Sequence, residues 1–536
     1  MMARLLAFVA LSAAAGTAQD FSSVEAILEE MQQRLGASAT LVVSQNGRIV
    51  YSRSTGTWSA SRAINIASAS KWLSGAVLMT LVDRGELSLG DPVSKFLPHA
   101  AGAAGSTTVR QLFSMTSGHG RSEPPCLSDR TTTLAICADQ IIAAPLAIPP
   151  GTGFIYASTG MQLAARLAEI ATGKRWADLV RERLTEPLRM SSTRVSLLNQ
   201  EGNPLVAGGY VSSASDYLRF LQMVLDGGVF EGRRVLSARA VEEMLADQTD
   251  GVPIVFSPYR VTYEAIQSGL GDTRYGIGNW RQRVHNGVLE ESSSTGAFGF
   301  TPWTDYSRNM TGVLSVLNDN SDVVPYFLRI RTALAAVVPA SPLLRRDVAS
   351  AATREAGHVA PGELVTIPVA EPARVTFDDL PARVEARATD RVTVTVPVEL
   401  AGRVLTALRV DELPAISVPV SHAKPGLFTW TGNGDGLAIA LEADGALHGP
   451  LHPARPGSTL TLFRTGVGPN RAGAIAVTIG GHDAEVRAVT ASEDLPAGVA
   501  ALTVLVPPTA PVGEARVRVA SGGTWDRGGA VVLVRR

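Results

Sequence analysis

The sequence predicts an α+β chain: one antiparallel sheet with helices packed on it and a helical insertion, followed by two all-β, sandwich-like modules. Three observations carry that expectation. Up to about residue 340 helical and strand patterns mix, without the regular strand–helix alternation of a doubly wound sheet. Beyond about residue 355 helical periodicity vanishes, and short β-branched runs separated by Pro and Gly take over. That second part also repeats itself. PGELVTI at 361–367 returns as PGSTLTL at 456–462, VTFDDLPARVEA at 375–386 as VTIGGHDAEVRA at 477–488, and RVTVTVP at 391–397 as ALTVLVP at 501–507. The offset grows along the chain, as loop insertions between two copies of one β unit would produce.

Taken in order, residues 1–18 place one Arg before an apolar stretch that ends in small residues. This is the order of a secretory signal cleaved after Ala18. An uncleaved anchor is the alternative, although the stretch is short for a bilayer span. An exported protein, periplasmic or extracellular, with no membrane span after cleavage is the expectation. A first folded unit then covers 19–340. SSVEAILEEMQQRL carries Leu28, Met31 and Leu35 at helical spacing, and LVVSQNGRIVYSR reads as a hairpin turning at Asn46-Gly47. Residues 72–84 show one apolar helix face ending at Gly85, and GMQLAARLAEIATGK a helix ending at Gly173. AFGFTPWTDYSRNMTGVLSVL reads as two strands around a polar turn, before an amphipathic helix over 323–338. The β modules are expected at 352–424 and 425–536.

Composition narrows the function classes. Of 536 residues 45% are hydrophobic and 18% charged, with a formal net charge of −1 and no Lys/Arg block, so a nucleic-acid partner is not expected. The two cysteines, Cys126 and Cys137, would close a short disulfide loop in an exported protein, with two free thiols as the alternative. Neither has a His at metal-ligand spacing, and no metal or cofactor is expected. Of the eight histidines, His99, His119 and His285 fall in the first half, each at a position suited to a surface or loop.

Lysine is scarce: four occur in the chain, Lys71, Lys95, Lys174 and Lys424, where arginine is the usual cation. Lys71 follows Ser68 by three residues in ASASKWLSGA, at the head of an apolar run. A helix beginning there would bring amine and hydroxyl onto one face, with its N-terminal dipole favouring an alkoxide. Lysine can act as a base once burial lowers its pKa, whereas arginine does not deprotonate in proteins. Ser421 and Lys424 have the same spacing, but Pro425-Gly426 follows them inside a β module, where no helix aligns the pair.

The stretch NIASASKWLSGAVLMTLVDRGELSLGDPVSKFLP resembles the nucleophile region of the serine β-lactamase and penicillin-binding protein superfamily, nearest the class C β-lactamases, family VIII carboxylesterases and D-alanyl-D-alanine peptidases. The resemblance covers about residues 25–338 and implies a β-lactamase/transpeptidase-like fold with Ser68 acylated and Lys71 assisting. It also implies a Tyr-x-Asn or Tyr-x-Ser motif after a Pro-Gly turn, matched by Tyr156-Ala157-Ser158 after Pro149-Pro150-Gly151. A tyrosine beside a lysine can lower its own pKa and shuttle a proton, with Ser158 bonding substrate or Lys71. The third motif, Lys-Thr-Gly in many members, is best matched by Ser294-Thr295-Gly296 followed by Ala297, whose N–H would share an oxyanion hole with that of Ser68. A rival register aligns Glu291-Ser292-Ser293. Either lacks the family's cation, which suits a neutral ester or amide, although Arg281 or Arg283 could supply charge. LFSMTSGHG (112–120) resembles another family stretch, with Met115 where His is usual, and reads as a structural turn. The β repeats resemble immunoglobulin-like modules of exported bacterial proteins, which implies cell-surface or polysaccharide contact. The resulting expectation is a serine hydrolase, foremost a carboxylesterase on small esters. A β-lactamase or D-alanyl-D-alanine carboxypeptidase is the alternative within that chemistry, and a catalytically weak surface-binding protein the alternative outside it.

Overall fold

A computed structural model describes residues 19–536 apart from 130, 196–197, 200–201, 258–273, 371–373, 469–474 and 492–493; the expected signal segment 1–18 lies outside the described residues. The main sheet and the longer helices follow in chain order. They are α1 (Ser22–Leu35), β1 (Ala39–Gln45), β2 (Arg48–Ser54), α2 (Ser70–Asp83), α3 (Leu134–Ala143), β3 (Phe154–Ile155), α4 (Thr159–Thr172), α5 (Ala214–Leu225), α6 (Ala238–Leu245), β4 (Ile254–Phe256), β5 (Arg274–Tyr275), β6 (Trp280–His285), β7 (Val288–Ser293), β8 (Thr301–Asp305), β9 (Met310–Val316) and α7 (Asn320–Val337). Seven strands form one sheet in the order β5-β6-β7-β8-β9-β1-β2, antiparallel at every pairing.

The sheet is covered on both faces, so β1 is buried on both. Ala39, Leu41 and Val43 pack with Val24, Leu28 and Met31 of α1 and with Phe327 and Ile330 of α7. Val42 points the other way, into the larger core that contains α2 and α5. The hairpin turns where expected, with Asn46 at φ 51° and Gly47 at φ 75°, the two positive φ values that a type I′ turn requires.

Helix α2 departs from its expected one-sided pattern, because every residue from Ser70 to Leu81 is buried. Trp72 meets Phe220 of α5 edge-on, with ring centroids 5.6 Å apart. On another side, a Cβ on Gly75 would fall 2.3 Å from the Ile277 carbonyl oxygen, so only glycine allows that approach. An apolar helix enclosed on all sides is a core element. No helix among the described residues is long and apolar enough to cross a membrane.

Past residue 348 the described residues form paired sheets, with one 3₁₀ turn at Val398–Leu400. Strands at 349–350, 364–367, 391–395 and 383–388 make one sheet and those at 380–381, 375–377, 405–410 and 416–419 another, with Val365, Val392, Phe377 and Val418 in the core between them. A second pair of sheets, from 426 to 534, encloses Leu460, Leu462, Val517 and Val532. The repeated segments occupy equivalent strands. Each has a tight hairpin whose two turn residues carry positive φ, Asp378-Asp379 in one copy and Gly480-Gly481 in the other.

This β part is docked on the first unit. Arg234 Nη2 donates to the Val404 and Val420 carbonyls at 3.1 and 2.7 Å. Arg527 stands 3.5 Å from a carboxylate oxygen of both Glu242 and Glu355. Lys424 is buried in the same joint, donating to the carbonyls of Glu355 and His358 and lying 3.3 Å from Glu363. It is a structural lysine, unrelated to Ser421.

Candidate active site

Ser68 lies in a one-turn 3₁₀ segment, Ala67–Ala69, that leads into α2, rather than in the α-helix itself. Ala67 adopts φ 43°, a left-handed conformation that costs a residue with a Cβ about 1–2 kcal/mol. Neighbours over-determine the turn. Ser70 Oγ donates to the Ala67 carbonyl at 2.6 Å, Tyr217 OH to that of Ala69 at 2.7 Å, and Ser294 Oγ to that of Ser68 at 3.1 Å.

Lys71 is 2% exposed. Its Nζ donates to Ser68 Oγ at 3.0 Å and to the Ala207 carbonyl at 2.9 Å, and lies 4.7 Å from the Tyr156 ring centre. Burial pushes its pKa down to about 8, against a smaller upward pull from Glu123. A sizeable neutral fraction therefore exists near pH 8, with a lone pair able to take the serine proton. The loop holding Ala207 is fixed by buried side chains: Gln162 Nε2 donates to the Pro204 carbonyl and Ser74 Oγ to that of Val206, both at 2.8 Å. A backbone carbonyl leaves no mark in a sequence, so this partner was not foreseen.

Tyr156 follows β3, and its N–H donates to the Phe256 carbonyl of β4 at 3.0 Å. Its ring stacks on Trp280 at 5.2 Å and meets Tyr275 edge-on at 6.1 Å. Burial raises its pKa well above the ordinary phenol value, with Tyr275 adding to the rise and a hydrogen bond to Ser68 opposing it. The expected lowering is therefore reversed. Tyr156 is a neutral phenol that can pass a proton, and of this pair Lys71 is the group whose pKa burial lowers. Ser158 stands on the cavity wall but is not a partner of Lys71, whose Nζ bonds go to Ser68 and Ala207.

The third motif begins one residue past the end of β7. A Cβ on Gly296 would lie 2.2 Å from the Ile66 carbonyl oxygen, so this segment approaches the nucleophile turn as closely as glycine permits. Ala297 lines the same cavity as Ser68. The rival register points elsewhere: Glu291 pairs with Arg331, Ser292 with Tyr306 and Ser293 with Gln282. Ser294-Thr295-Gly296 is the register that lies against the Ser68 turn.

Arg281 and Arg283 do not supply the missing charge. Arg281 Nε donates to the Leu245 carbonyl at 3.0 Å, and Arg283 pairs with Glu290 at 2.8 Å. The cavity of about 420 Å³ over Ser68 carries instead Arg121, Glu123, Phe256 and the start of α7. Arg121 and Glu123 precede Cys126, which forms the disulfide with Cys137. Replacing both cysteines by Ser should lower unfolding stability by about 3 kcal/mol, the chain-entropy value for a loop of about a dozen residues, in a denaturant titration.

His99 is exposed beside Asp139, and His285 is exposed at the end of β6. His119 is buried in its loop at 6% exposure, bonded through Nδ1 to Ser117 Oγ and with its pKa pushed down to about 4 by burial. Met115, at φ 65°, accepts the Ile155 N–H and so anchors the turn beside the Tyr156 strand. Among the described residues Glu242, Glu355 and His358 are the one group spaced to hold a metal ion. They lie in the docking joint away from Ser68, with Arg527 against both carboxylates.

Penicillin-binding protein 4 of Amycolatopsis lactamdurans is 32% identical over 208 residues, 33% of this chain and 55% of its own. Esterase EstB of Burkholderia gladioli is 27% identical over 194 residues, 31% of this chain and 49% of its own. The chain thus spans about half the length of the curated relatives it matches. A solved structure from Bacteroides dorei DSM 17855, named for a beta-lactamase, superposes with a TM-score of 0.54 at 28% identity, covering 60% of this chain and 99% of that one. The Beta-lactamase family model matches residues 24–323, more than half of the chain, and the chain belongs to that family.

Proposed function

We propose that the chain is a serine hydrolase that splits an ester or amide through an acyl-enzyme on Ser68. One observation carries the reading: Lys71 Nζ lies 3.0 Å from Ser68 Oγ while almost wholly buried. As Oγ adds to the substrate carbonyl, neutral Lys71 takes its proton. The carbonyl oxygen gains negative charge facing the N–H groups of Ser68 and Ala297. Tyr156 then gives its proton to the departing oxygen or nitrogen and is reprotonated from Lys71. Water repeats the sequence in reverse roles, releasing the acid and restoring Ser68.

Small esters are the leading substrates. Ser294 stands where a cation would hold a carboxylate beside the scissile bond, and both candidate arginines are engaged elsewhere. The relatives' names span penicillin-binding protein and esterase, so opening of a β-lactam or a D-alanyl-D-alanine bond is the second reading. Export through residues 1–18 belongs to the proposal, supported by the disulfide, which oxidising compartments sustain. Hydrolysis of p-nitrophenyl butyrate and of a chromogenic cephalosporin by the 19–536 chain tests the assignment. Ester turnover with the cephalosporin intact is expected. The reverse would move the assignment to a β-lactamase, and turnover of neither would leave a peptidase of narrow specificity or a binding protein on this scaffold.

A further inference from the structure

The wall of the Ser68 cavity carries charges that the acyl-transfer step does not use. Asp319 is committed to capping α7, its Oδ1 accepting the Ser321 N–H at 2.8 Å. Arg121 and Glu123 remain, two residues apart on one loop and both exposed. Among the described residues neither forms an ion pair or hydrogen bond, not even with the other. Opposite charges this close in sequence ordinarily neutralise one another or turn to solvent. Here both face one cavity.

The guanidinium is also seated. Arg121 lies 4.5 Å from the centre of the Phe256 ring, and Phe256 accepts the Tyr156 N–H through its carbonyl. The loop's far end is pinned at Cys126. The cation is thus referenced to the strand that carries a catalytic residue, and the anion sits between that seat and the disulfide. Loops held by a rigid frame are where substrate selectivity commonly resides.

We propose that the cavity selects acyl substrates bearing both a carboxylate and an ammonium group away from the scissile bond, the carboxylate held by Arg121 and the ammonium by Glu123. This rests on the acyl-enzyme reading above and deepens it. A substrate with one charge gains from one rim residue and is opposed by the other, whereas a zwitterion is complementary to both. Uncharged atoms next to the scissile carbonyl agree with Ser294 in place of a cation.

A matched series of five-carbon p-nitrophenyl esters tests it: valerate, the glutarate half-ester, aminovalerate and the γ-glutamyl ester. The wild type should prefer the γ-glutamyl ester over valerate by about tenfold or more in kcat/KM, mainly through KM. In Arg121→Ala and in Glu123→Gln the advantage of the γ-glutamyl ester over valerate should collapse, while Arg121→Ala should favour the aminovalerate ester and Glu123→Gln the glutarate half-ester relative to valerate. Because each ratio is taken within one variant, loss of folded protein cancels. Equal use of all four esters by the wild type overturns the proposal, as do ratios that survive both substitutions. Absence of turnover even of valerate would instead overturn the acyl-enzyme reading.

Discussion

Ser68→Ala is expected to reduce hydrolysis of p-nitrophenyl butyrate by about 10⁴-fold or more in kcat, leaving the folded protein intact. The Ser68 oxygen is the hydroxyl that Lys71 Nζ bonds, and Ser158 on the same wall is not a partner of that amine. Ser70 is spent on the Ala67 carbonyl and the Tyr210 N–H, and Ser294 on the Ser68 carbonyl. The variant should also fail to gain mass from an activated ester that acylates the wild type. Turnover within tenfold of wild type would mean that another group attacks, and would sink the acyl-enzyme assignment.

Lys71→Arg should cost nearly as much, about 10³-fold in the acylation rate, although it preserves the formal charge. Charge is not what the site needs. With its pKa held near 8 by burial, Lys71 supplies a neutral amine to Ser68, and the wild-type kcat/KM should therefore rise with pH, half-maximal near 8, as the ammonium loses its proton. A guanidinium never deprotonates in this range, so the variant should show no such limb. It must also fit a larger planar group between the Ala207 carbonyl and the Tyr156 ring. Substantial activity with an unchanged pH profile in the arginine variant would show that Lys71 is not the base.

Local chemistry was the legible part of the sequence. The Asn46-Gly47 turn, the helix stops at Gly85 and Gly173, and the repetition of the β part in two copies all follow from residues adjacent in the chain. Ser68, Lys71 and Tyr156 were legible because their spacing and flanking turns are themselves short-range features. What failed depends on residues far away in sequence. Tyr156 was expected to become more acidic, yet Tyr275 and Trp280, more than a hundred residues on, enclose it and drive its pKa up. The enclosure of α2 was hidden because its spacing showed one apolar face, while Ser70, Lys71, Ser74 and Thr80 on its other sides are buried by partners distant in sequence. The expected replacement cations, Arg281 and Arg283, lie on β6 beside the third motif, while the charges that reach the cavity come from a loop about 160 residues earlier.

The placement of α2 bears on how this scaffold could diversify. Ser68 and Lys71 sit on a turn and helix enclosed by core, where a changed side chain alters packing on every side and costs several kcal/mol. The rim residues Arg121 and Glu123 are exposed on a loop tethered by a covalent bond, where substitutions usually change stability by less than about 0.5 kcal/mol. Selection acting on this chain can therefore exchange what is recognised almost independently of how it is cleaved. Mutational drift in the rim would produce descendants with new substrates and an unaltered reaction.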